Sequence, residues 1–118
     1  MSTMLKPQIW ISDGWPGDVT MKSEADWDTF FYNYYRWVRH YALLAEINEV
    51  DSYCIGVEFA KATLAREHDW RAIIKRIRGI YSGQLTYAAN WGEEFENLKF
   101  WDELDFIGLN CYLSLIHI

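Results

Sequence analysis

The chain has 118 residues, enough for one small domain and less than half of a typical eight-stranded βα barrel of about 250 residues. Its formal net charge of −6 argues against nucleic acid as a partner, because phosphate recognition needs clustered Lys and Arg. No apolar run reaches membrane-spanning length, and the first residues lack the charged-then-apolar pattern of a secretory signal.

Four short apolar runs alternate with helical patterns. The first strand is expected over residues 5–11, followed by the turn-rich loop Ser12-Asp13-Gly14-Trp15-Pro16-Gly17. A helix should start near Ser23, with Asp26 three residues on as a capping pair. Trp27, Phe30, Phe31, Tyr34, Val38, Tyr41, Ala42 and Ala45 then repeat at helical spacing, a stripe suited to packing on a sheet.

The second strand is expected over residues 52–57 and delivers a carboxylate, Glu58, at its very end. A second helix from about Asp69 carries Trp70, Ile73, Ile74, Ile77 and Ile80 on one face, with Gly83 as its stop. The basic stretch Lys75-Arg76-Ile77-Arg78 reads as the solvated face of that helix. Residues 85–90 form the third strand, a helical piece spans about 94–104, and residues 106–112 form the fourth strand. Cys54 and Cys111 fall inside strands and read as small buried hydrophobes; no Cys/His cluster has zinc spacing.

Strand-helix-strand repetition implies parallel strands joined by right-handed crossovers. Alternation within the strands separates two faces. Tyr53, Ile55 and Val57 oppose Ser52, Cys54, Gly56 and Glu58; Leu85, Tyr87 and Ala89 oppose Thr86, Ala88 and Asn90. One face is apolar and fit for helices. The other turns small or polar and ends in Trp10, Glu58, Asn90 and Asn110 with Tyr112. An open sheet covered by helices on both sides would be apolar on both faces. The pattern therefore favours an α/β fold of the (β/α)8 TIM-barrel kind, represented by four parallel strands. An ionisable group just past an apolar strand sits where barrel enzymes keep their chemistry, although Glu58 could equally be the first solvated loop residue.

Aromatic residues make up 18% of the chain, more than a core of this size needs, and Trp and Tyr faces suit the C–H faces of sugar rings. The segments Leu5-Lys6-Pro7-Gln8-Ile9, Cys54-Ile55-Gly56-Val57-Glu58-Phe59, Leu85-Thr86-Tyr87-Ala88-Ala89-Asn90-Trp91 and Phe100-Trp101-Asp102-Glu103-Leu104-Asp105-Phe106-Ile107-Gly108 resemble strands three to six of glycoside hydrolase family 113, barrel enzymes typified by endo-β-mannanases. The resemblance covers nearly the whole chain to about Tyr112. It implies a retaining mechanism with two carboxyls about 5–5.5 Å apart, acting on a β-linked polysaccharide without metal or cofactor.

By that likeness Glu58 is the general acid/base, whose pKa should be raised by partial burial, and the nucleophile belongs to a seventh strand onto which no residue here maps. Asn90 and Trp91 would serve as hydrogen-bonding group and sugar platform, and Asn110 and Tyr112 would close the site, the alternative for the two asparagines being to cap the loops that follow. Trp10 and Trp15 are candidates either to stack sugar or to pack loops. The chain departs from the clan pattern at Val57, where an asparagine commonly precedes the acid/base, and at Gln8, where some relatives carry histidine.

The likeness puts Met1 just before a third barrel strand, so two βα units would lie upstream, and residues 113–118 resemble a translated sequencing adapter, the alternative being a native end to the fourth strand. Residues 1–112 are then the partial barrel domain, and localisation stays open. Two other readings remain at this stage: a catalytically silent carbohydrate-binding or scaffold barrel, and a small open-sheet α/β domain. A nucleotide-binding version of the last is disfavoured because no Gly-rich phosphate loop follows a strand.

Overall fold

In the computed structural model the described residues are 3–7, 15–90 and 92–110, with Leu109 and Asn110 described by backbone alone. Four strands, β1 (Met4–Leu5), β2 (Ser52–Val57), β3 (Gln84–Asn90) and β4 (Gly108–Asn110), form one sheet in the order β1-β2-β3-β4. Every pairing is parallel. A doubly wound open sheet reverses its strand order at a switch point. Here each strand pairs with the next in sequence, the progression expected for an arc of barrel.

The helices lie on one face of this arc. Helix α1 (Glu24–Ile47) starts where expected, with the Ser23 hydroxyl accepting the Asp26 N–H at 3.2 Å. Its buried stripe, Trp27, Phe31, Tyr34, Val38, Ala42 and Ala45, matches the apolar period of the sequence. Two helices follow β2, not one: α2 (Ala60–Ala65) and α3 (Glu67–Arg78), separated at Arg66. Arg66 leaves helical geometry to pair with Glu24 and Asp69 and to lie over the Trp27 ring, contacts that no local pattern announces.

Helix α3 buries Trp70, Ile73, Ile74 and Ile77 and exposes Lys75, Arg76 and Arg78, as the basic stretch predicts. It ends at Arg78 with Gly79 as its C-cap, not at Gly83, because a glycine of equally poor helix propensity is met four residues earlier. The last helical stretch divides into α4 (Glu93–Asn97) and a 3-10 turn, Trp101–Glu103. Trp70 is the hub of the core: Phe31, Tyr34, Phe59, Tyr87 and Phe100 all set rings against it at centroid distances of 5.3–6.0 Å.

The two faces of the sheet differ as the alternation requires, with one correction. Tyr53, Ile55, Leu85, Tyr87 and Ala89 belong to the large helix-side core, and Cys54 and Ala88 form a small separate cluster on the other face. Val57, expected on the helix side, joins that second cluster. The cause is a bulge between Cys54 and Val57, where the β2–β3 register slips by one residue. Gly56 is thereby turned toward the helices: a Cβ there would lie 2.8 Å from the Tyr87 ring and 3.0 Å from the Tyr34 hydroxyl. The same hydroxyl donates to the Ile55 carbonyl at 2.6 Å.

The first strand is shorter than expected in the described part: Lys6 and Pro7 are not strand, and residues 8–14 lie outside it. The fourth strand begins at Gly108 and not Phe106, and Cys111, Tyr112 and residues 113–118 lie outside the described residues. Among the described residues, no helix is long and apolar enough to cross a membrane.

Candidate active site

Parallel pairing puts the C-terminal ends of β2, β3 and β4 along one edge of the arc. Val57 pairs with Ala88, Ala88 with Gly108, and Asn90 with Asn110. Glu58 follows β2 directly, so the candidate acid and both asparagines stand at the same end of three adjacent strands. This is the side that carries chemistry in barrel enzymes.

Glu58 is buried, only 9% exposed, with φ at +55° in the left-handed region that L side chains rarely adopt. Its N–H donates to the Ala88 carbonyl at 2.8 Å, which ties it to β3 beyond the end of the ladder. Backbone outliers held by their surroundings concentrate at functional sites.

A second carboxyl sits beside it. Glu94, on α4, is 2% exposed. Its Oε2 accepts from the Thr63 hydroxyl at 2.6 Å and the Tyr87 hydroxyl at 2.7 Å, while Oε1 accepts the Asn90 N–H at 2.7 Å. Burial raises its pKa above the ordinary carboxylate value despite those three bonds, and the charge of Glu58 adds to the upward push. Tyr87 is also raised, chiefly by burial and then by the Glu94 charge, and remains a neutral phenol. Its hydroxyl oxygen accepts the Phe59 N–H at 2.6 Å. The chain Phe59 N–H to Tyr87 to Glu94 therefore links the residue after Glu58 to the mouth of β3.

Next to Glu94 opens a cleft of about 350 Å³ whose lining includes Trp15, Ala60, Lys61, Leu64, Asn90 and Glu93. Trp15 reaches it because residue 17 is glycine; a Cβ there would fall 2.1 Å from the indole. The cleft pairs an apolar wall of Trp15, Ala60 and Leu64 with polar Asn90 and Glu93, a composition that fits a ring with a C–H face and a hydroxyl edge. Lys61 faces Asp18 at 3.8 Å, an exposed pair with little energetic weight.

The structure thus brings Trp15 and Asn90 together across one cleft and sets Glu58 one strand away. Asn110 is the register partner of Asn90. Trp10, Trp91 and Tyr112 lie outside the described residues. Sequence reasoning missed Glu94, Thr63 and Tyr87. One signal was present: Glu94 is four residues before buried Leu98, on the inward side of its helix turn.

A sequentially ordered parallel βα arc, with a carboxyl and asparagines gathered at its C-terminal edge beside an amphipathic cleft, has the layout of a barrel-type glycoside hydrolase. The sequence matches the model of Glycoside Hydrolase Family 113 over residues 1–117, and the chain belongs to that family.

Solved structures agree. The β-mannanase AaManA of this family from Alicyclobacillus acidocaldarius, in complex with ManMIm, superposes with a TM-score of 0.83 at 33% identity, covering 91% of this chain and 36% of that one. Two further structures of a family 113 β-1,4-mannanase, one of them a complex, each give a TM-score of 0.79 at the same identity and coverage. The chain thus spans 36% of the length of these relatives. No curated protein matches it.

Proposed function

We propose that this chain supplies the acid/base side of a retaining glycoside hydrolase that cleaves β-linked polysaccharide, with β-mannan the favoured substrate. The observation that carries the reading is Glu58: a buried carboxyl at the end of a central parallel strand, its backbone held in a rare conformation, in a chain of family 113. The mannanase names of the structural relatives support mannan as the polymer.

In the first step the Glu58 carboxyl gives its proton to the glycosidic oxygen as the bond to the anomeric carbon breaks. A second carboxylate, from a part of the barrel outside this chain, bonds to that carbon and forms a glycosyl-enzyme. In the second step the Glu58 carboxylate takes a proton from water, whose oxygen displaces the enzyme carboxylate and releases the sugar. Trp15 offers a platform for a sugar face, Asn90 and Asn110 stand at the strand ends for substrate binding, and Trp10, Trp91 and Tyr112 are assigned to the same binding role by family likeness.

The test is Glu58→Gln in the complete barrel that carries this chain. On β-mannan, kcat/KM should fall roughly 10²–10⁴-fold, since the leaving oxygen needs the proton. On an aryl β-mannoside with a good leaving group the loss should stay below about 10-fold. Equal losses on both substrates would remove Glu58 from the acid role.

A further inference from the structure

We propose that Tyr87 and Glu94 are positioning residues for the acid/base: through one hydrogen-bonded chain they fix the peptide after Glu58 to the mouth of β3, and so hold the Glu58 carboxyl against the leaving oxygen. The inference rests on the assignment of Glu58 as the acid.

The direction of a side chain is set by its own φ and ψ, that is, by the two peptide planes that flank its Cα. Both planes around Glu58 are pinned to β3. On one side the Glu58 N–H meets the Ala88 carbonyl at 2.8 Å. On the other the Phe59 N–H meets the Tyr87 hydroxyl at 2.6 Å. The first bond is backbone to backbone and survives any substitution. The second depends on one phenol, whose own proton goes to Glu94 at 2.7 Å.

Glu94 in turn is oriented from two further directions, by Thr63 of α2 and by the Asn90 N–H. A single buried carboxyl therefore ties together α2, the end of β3 and the residue after the acid. Stability alone does not call for a carboxyl here, because well-packed apolar groups of similar volume serve a core as well or better. What the carboxyl adds is direction: Tyr87 has one acceptor for its proton, so its oxygen presents a lone pair to Phe59. Without that bond nothing else described on β3 holds the Phe59 N–H, and the peptide after Glu58 loses its tie to the strand just where Glu58 occupies a left-handed conformation that L side chains rarely adopt.

A misplaced acid has a kinetic signature that general loosening lacks. Proton donation matters for a poor leaving group and hardly at all for a good one. In the complete enzyme, Tyr87→Phe should lower kcat/KM on β-mannan about 30–100-fold, and on a dinitrophenyl β-mannoside less than about 5-fold. Thr63→Val, which removes one donor to Glu94, should show the same skew at about 3–10-fold, and Thr63→Ser, which restores the hydroxyl, should recover most of it. Equal losses on the two substrates overturn the proposal, as does Thr63→Ser behaving like Thr63→Val. If Tyr87→Phe does not accumulate as folded enzyme, the Thr63 pair decides alone. Glu58→Gln assayed alongside separates the two levels: if it shows no skew, the acid assignment falls; if it does while Tyr87→Phe and Thr63→Val show none, only the positioning role falls.

Discussion

Glu58 and Glu94 are neighbouring carboxyls with opposite legibility. Glu58 stands out in the sequence because it closes an apolar run. Glu94 sits among Glu93 and Glu96 in an acidic stretch that does not single it out, and it is buried because Thr63 and Tyr87, from other elements, surround it. Its raised pKa has a consequence for stability. The native state keeps the Glu94 proton to higher pH than the unfolded chain does, where the ordinary value of 4.5 applies. The native state thus binds more protons in that window, so stability is fully present below the ordinary value and declines as pH rises through the folded one. Glu94→Gln in the complete barrel cannot ionise and should flatten that decline, measured as urea midpoints between about pH 4 and 8. The same slope in both proteins would show that Glu94 does not carry it.

At the scale of elements, period and punctuation located most of the architecture. The α1 stripe, the bounds of β2 and the buried face of α3 all follow from local spacing, since burial on one side imposes that spacing directly. The bulge in β2 did not, because a register slip is decided by the partner strand. It reverses the side on which Val57 lies and turns Gly56 into a contact point for Tyr34 and Tyr87. Gly56→Ala in the complete barrel should therefore destabilise by about 1–3 kcal/mol, read from the urea midpoint, because the added methyl meets rings in a packed core. It should also lower kcat on mannan, since the bulge leads directly into Glu58. A variant as stable and as active as the parent would mean that the rings move aside freely.

For the whole molecule, the decisive feature is that the arc of described strands is open. Strands β1 and β4 each have one unpaired edge within the described sheet, and the face opposite the helices carries only Cys54, Val57 and Ala88 as a buried apolar cluster. Open edges invite pairing with other chains. Expressed alone, the 118 residues should be marginally stable, prone to aggregate, and without hydrolytic activity on mannan. Size-exclusion chromatography, thermal unfolding and a reducing-sugar assay test this together; a monomer that unfolds cooperatively and releases sugar would refute it.

The sequence by itself determined the parallel strand-helix order, the apolar helix-side face and the carboxyl at position 58, because each is a one-dimensional pattern enforced by local geometry. The tertiary structure alone decided that Arg66 divides two helices, that β2 slips by a residue, and that Glu94 turns inward to grip Tyr87 and the Asn90 N–H. The reason is common to all three. Each depends on groups distant in sequence that compete for the same backbone or side-chain atoms, and that competition exists only once the elements have packed.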